Sequence, residues 1–88
     1  MLFITLAKFK KKPTKEMLAE TQRLFEQIAK EGGKILGVYW TLGRYDVVVL
    51  SECPDEKAHM KGALRFAETM STESLVAITA EEAAKLVE

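Results

Sequence analysis

The four residues Val47-Val48-Val49-Leu50 form an unbroken apolar run. Successive side chains of a strand point to opposite faces, so a strand built from this run is apolar on both. Such a strand belongs inside a sheet with both faces covered. The chain has only 88 residues. That is enough for one domain, residues 1–88, with helices on one face of a sheet. It leaves nothing for the second face, and the simplest cover is another copy of the chain. Size points the same way. A domain of this length buries only about 60–65% of the surface its unfolded chain exposes. One cysteine rules out a disulfide framework, and no cluster of metal ligands stands in the sequence. Oligomerisation is the remaining source of stability, so a homodimer or higher homo-oligomer is expected.

Residues 2–9 are rich in β-formers, contain no turn residue, and predict the first strand. The Lys10-Lys11-Lys12-Pro13 run ends it. Thr14 is a good N-cap for a helix from Lys15 to about Lys30. Met17, Leu18, Thr21, Leu24, Phe25, Ile28 and Ala29 fall on one face of that helix, and Glu16, Glu20, Arg23, Gln27 and Lys30 on the other. Gly32-Gly33 stops it. The runs 34–42 and 45–51, with Gly43-Arg44 between them, predict a hairpin. Gly37 within its first strand points to a bulge or to a close approach by another backbone or a ligand. Asp55 is the expected cap of a second helix running to about residue 70, Ser71-Thr72-Glu73 reads as a loop, and 75–79 as a strand. Thr79 is the expected cap of a short helix from Ala80 to Val87.

The order is βαββαβ with a terminal helix. Crossover helices around one central hairpin give the split-βαβ, ferredoxin-like sandwich. This is an α+β fold with a four-stranded antiparallel sheet, strand order 4-1-3-2, and both helices on one face.

The stretch Tyr39-Trp40-Thr41-Leu42-Gly43-Arg44-Tyr45-Asp46, followed by Val47-Val48-Val49, resembles the GYD domain family, named for the Gly-x-Tyr-Asp turn of its central hairpin. Gly33-Lys34-Ile35 and the opening strand also match its pattern, so the resemblance spans nearly the whole chain. Gly37 departs from it, since an ordinary side chain is expected there. The resemblance implies the dimeric α/β-barrel superfamily, in which two open sheet faces pack together. It implies no activity, because relatives by fold include cofactor-free monooxygenases, lactone isomerases, haem-handling enzymes and amino-acid-sensing domains.

Composition narrows the function. Thirteen basic and thirteen acidic residues balance, which argues against a dedicated nucleic-acid binder. The RNA-recognition version of this fold stacks bases on aromatics of its central strands, and 47–50 carry none. No apolar run approaches the roughly 18 residues of a membrane span. The start has neither the basic nor the long apolar region of a signal peptide, and a lone thiol suits a reducing compartment, so a cytoplasmic location is expected. The charge is uneven. Residues 1–44 carry nine basic and four acidic side chains, and 45–88 the reverse. Lys8, Lys10, Lys11, Lys12 and Lys15 could meet an anion, but no glycine-rich cradle accompanies them, and a solvated loop is the simpler reading. No motif for a nucleotide, metal or other cofactor occurs.

Tyr39, Trp40, Arg44, Tyr45 and Asp46 cluster at the hairpin and are the candidate ligand-binding residues, with Thr5 near them. An aromatic wall with few polar groups is what a small-molecule cleft needs. The bland alternative makes the aromatics interface packing and lets Asp46 bond the turn amides. His59, the sole imidazole, is a proton-transfer candidate that Glu56 could orient; the alternative is a half-exposed surface histidine. Asp46 is the second candidate base. Cys53 precedes Pro54 at a helix start, where a reactive thiolate competes with a buried strand-end thiol. The expected function is small-molecule binding in a cleft between the sheet and a partner protomer. The alternatives are a cofactor-independent monooxygenase or isomerase, and a regulatory or assembly module without a ligand.

Overall fold

The structure is a computed structural model and describes residues 1–87. Strands β1 (Leu2–Phe9), β2 (Lys34–Trp40), β3 (Val47–Glu52) and β4 (Met70–Ala77) form one antiparallel sheet in the order β2-β3-β1-β4. Helices α1 (Lys15–Lys30) and α2 (Glu56–Arg65) are the two crossovers, and α3 (Ala80–Ala84) follows β4. This is the ferredoxin-like βαββαβ arrangement with a terminal helix. The apolar run 47–50 lies in β3, an interior strand paired on both sides.

Local chemistry explains the boundaries. Thr14 caps α1 by accepting the Met17 N–H, Asp55 caps α2 through Ala58, and Thr79 caps α3 through Glu82. Gly32 sits at φ +95° and Gly43 at +113°, left-handed conformations that favour glycine. They close α1 and shape the β2–β3 turn. The register of β2 shifts between Ile35 and Gly37, so Gly37 marks a β-bulge.

The second half differs from expectation. Helix α2 ends at Arg65 rather than near residue 70, and β4 begins at Met70 and runs to Ala77. Ser71, Thr72 and Glu73 therefore lie in the strand, paired with Lys8, Ala7 and Leu6. The apolar stripe through Phe66 and Met70 suits a helix, but β1 offers eight residues of unpaired edge, and ladder pairing takes them. Helix α3 stops at Ala84, short of the expected Val87. The first hairpin strand also ends earlier, at Trp40, and the second starts later, at Val47, than the β-rich composition suggests.

The register sorts side chains onto two faces. Phe3, Thr5, Ala7 and Phe9 of β1 share a face with Val47, Val49 and Ser51 of β3, and this face meets the helices. Leu2, Ile4 and Leu6 share the opposite face with Val48 and Leu50. Helices α1 and α2 lie on the other side, over Thr5, Val47 and Val49. The buried apolar core consists of Phe3, Ala7, Val47 and Cys53 alone among the described residues, and α1 buries none of its side chains.

Candidate functional site

The helix layer does not close down on the sheet. Between them runs a slot of about 90 Å³, floored by β1 and β3 residues such as Thr5 and Val49 and roofed by Phe25 and Ile28 of α1 and Ala63 of α2. Trp40 and Val38 point to this side of β2 yet remain 57% and 41% exposed, so the slot opens along the β2 side. Its walls are almost wholly apolar, and no Lys, Arg, Asp or Glu among the described residues lines it.

Strand direction gives the slot two unlike ends. At one end lie Phe9, Trp40 and Met70. Phe9 and Trp40 pack with ring centroids 5.2 Å apart and planes tilted by 58°, an edge-on aromatic pair. At the other end lie Phe3, Ser51, Cys53 and the first turns of α2. Here the His59 ring stacks flat on Phe3, with centroids 3.9 Å apart and planes within 5°. Its Nε2 is 2.7 Å from the Ser74 Oγ. Ser74 is the cross-strand partner of Thr5, which lines the slot. Burial lowers the His59 pKa, so the ring is neutral at pH 7, with one nitrogen a donor and the other an acceptor. Burial likewise raises the Cys53 thiol, which favours the buried strand-end reading over a reactive thiolate.

The hairpin candidates divide between the two faces of the sheet. Trp40 lines the slot. Tyr39, opposite Val48, lies on the uncovered face. Tyr45 donates its hydroxyl to Glu73 Oε2 at 2.7 Å, which raises its pKa because the phenolate would face a carboxylate. Lys8 lies 6.0 Å from the centroid of the same ring. The Asp46 carboxylate accepts the Phe9 N–H at 2.9 Å, and its own N–H donates to Ala7. Asp46 thus fastens the turn to β1 rather than bonding the amides of its own turn. Arg44 sits in that turn, outside the slot lining, as do Tyr45 and Asp46. His59 bonds Ser74, and no bond to Glu56 orients it.

Sequence reasoning missed Phe3, Phe9 and Ser74. The alternation Phe3-x-Thr5-x-Ala7-x-Phe9 was available as a signal, since those positions share a face. Ser74 was hidden by the misplaced start of β4. No group of three or more His, Cys, Asp and Glu side chains is placed to hold a metal ion among the described residues. No helix among them is long and apolar enough to cross a membrane.

The family model described as the GYD domain matches residues 3–87. No curated protein matches the chain. Among solved structures, TTHA0845 from Thermus thermophilus is similar at 25% sequence identity and a TM-score of 0.55, over 90% of this chain and 94% of that one.

Proposed function

The chain belongs to the GYD domain family, and from that premise we propose that it is a homo-oligomeric small-molecule-binding domain whose ligand sits in the slot between sheet and helices. One observation carries the reading: about 90 Å³ of space with almost wholly apolar walls, broken by a few neutral hydroxyls such as those of Thr21 and Thr72 and by His59 at one end. That is several times the roughly 10–15 Å³ one water needs, but its walls offer water few partners. A small apolar molecule entering it displaces poorly held water at little cost. Folded cores otherwise close such gaps, since interiors pack as densely as organic crystals.

What the fold leaves bare supports the oligomer. Ile4, Leu6, Val48 and Leu50 make a contiguous apolar patch on the uncovered face. Lys8 and Lys34 stand on that face with Glu52 and Glu73. Equal numbers of each sign suit a two-fold partner, which presents the same patch in reverse. A core of four buried apolar side chains also leaves the protomer short of stabilising area.

A second reading is a cofactor-independent enzyme. His59 favours it over a purely passive slot, because a neutral imidazole at the end of an apolar channel can accept a proton from a bound molecule. Asp46, the other candidate base, spends its carboxylate on Phe9.

Native mass spectrometry of the gently purified protein tests the main reading. The expected spectrum shows a dimer, or a multiple of one, with a reproducible extra mass of a small organic molecule. Filling the slot by Ala63→Leu removes that mass and keeps the oligomer. A ligand-free oligomer whose slot takes up no added apolar compound favours the assembly-module reading. A stable monomer overturns the covering of the open face by a second copy.

A further inference from the structure

Resting on the slot as the binding site, we propose that it selects uncharged, ring-sized molecules carrying one hydroxyl or carbonyl, oriented with that group on His59 and the ring toward Phe9 and Trp40. The first argument is the absence of charge. None of the residues lining the slot is ionic. A carboxylate or ammonium entering it gives up its hydration and meets no counter-ion among the lining side chains, which is strongly unfavourable. An uncharged ligand meets no such barrier. Burial also disfavours the imidazolium that would otherwise hold an anion.

The second argument is the asymmetry of the ends. His59 is held in two ways, by the flat stack on Phe3 and by the bond to Ser74. A ring fixed on both counts presents its edge in one orientation at little further entropic cost. Ser74 lies beside it, and Thr5, the cross-strand partner of Ser74, lines the slot. Every polar side chain lining that end is neutral, so each can pair with a hydroxyl or carbonyl without burying a net charge. The far end holds Phe9 and Trp40, whose tilted faces suit a third ring; its polar groups are the indole N–H and the hydroxyl of Thr72, two residues from Met70 on β4. A ligand placed the other way round sets its polar atom among these rings, with only the indole N–H and the Thr72 hydroxyl within that end to pair with, and gives up the imidazole.

The test is a ¹H–¹⁵N NMR titration of the native protein at pH 7.5 with four compounds of one ring size: benzyl alcohol, toluene, benzoate and benzylammonium. Benzyl alcohol is expected to shift the backbone amides of Thr5 and His59 and the Trp40 indole, and to bind at least tenfold more tightly than either ion. It is also expected to bind several-fold more tightly than toluene. His59→Phe keeps a ring on Phe3 but removes its nitrogens, and Ser74→Ala frees the imidazole; either variant reduces the alcohol-over-toluene preference. If benzoate or benzylammonium binds as well as the alcohol, the selectivity proposal is overturned while the binding reading stands. If toluene matches the alcohol in the native protein, the orientation on His59 is overturned. If none of the four moves the slot resonances, the binding reading itself fails and this proposal with it.

Discussion

His59 and Asp46 are the two acid–base candidates, and their surroundings give them opposite characters. Burial lowers the His59 pKa from the ordinary histidine value of about 6.5. The unfolded chain therefore binds the proton more tightly than the folded one. The stability tied to the neutral ring is complete above about pH 6.5 and is lost as the pH falls from there through the lowered folded value. Urea unfolding between pH 7.5 and 5 should show this decline in the native protein and a flatter profile in His59→Phe. An equal slope in both proteins contradicts the assignment. Glu31 does not confuse the measurement. Hydrogen bonds from Gln27 and Arg65 lower its pKa to about 2, so its own contribution fades only as the pH falls below about 4.5. Asp46 acts through one bond, from its carboxylate to the Phe9 amide. Asp46→Ala should cost about 1–3 kcal/mol, as loss of a charge-assisted bond does, and Asp46→Asn less, because its amide oxygen still accepts. Neither should change slot affinity by more than about twofold if the carboxylate only fastens the turn. A larger loss of binding would return Asp46 to the site.

At the scale of elements, much was legible. The Val47–Leu50 run, the Thr14 and Asp55 caps and the Gly32-Gly33 stop are strong local signals, and each stands where expected. The start of β4 was not legible. Nothing local separates Ser71-Thr72-Glu73 from a loop, because their strand state is imposed by pairing with β1. That non-local pairing also put Ser74 opposite Thr5 and under His59, so half of the candidate site could not be read from spacing. The slot itself is a matter of how far the helices stand off the sheet. Gly33 tests this directly. A Cβ there would lie 2.6 Å from the Ile28 Cγ2 and 3.2 Å from the Ile28 backbone oxygen. Gly33→Ala must push Ile28, and Ile28 roofs the slot. The expected outcome is a loss of roughly 1–3 kcal/mol by denaturant unfolding, the usual range for overpacking, together with weakened binding of a slot ligand. Gly37→Ala serves as the control. The atoms nearest its Cβ belong to the Tyr39 ring on the uncovered face, away from Ile28 and the slot roof, so binding of a slot ligand should change little.

The whole molecule has two apolar surfaces, and adjacent residues of β3 divide between them. Its Cα radius of gyration is 13.9 Å, against about 12 Å for a compact chain of this length. The Cα extents are 49 × 32 × 17 Å, and α3 makes only marginal contact with the other elements. The shape is thin and spread, which fits the proposed second copy on the open face. Val48 faces the uncovered side of the sheet and Val49 faces the slot. From sequence alone, a charge at either position should damage the protein in the same way. The structure separates them. Val48→Asp puts a carboxylate where a second copy would sit, unpaired and desolvated on association. It should give a monomer by size-exclusion chromatography with light scattering, less stable because the dimer's contribution is lost, with the slot itself intact. Val49→Asp puts the same charge on the floor of the slot. Because the slot opens along β2, the carboxylate can draw in water, so the oligomer should persist while uptake of an apolar ligand is abolished. If Val48→Asp stays dimeric, the open face is not the contact surface. If both variants dissociate and both lose the ligand, the slot and the interface are one structure, and binding in the slot requires the second copy.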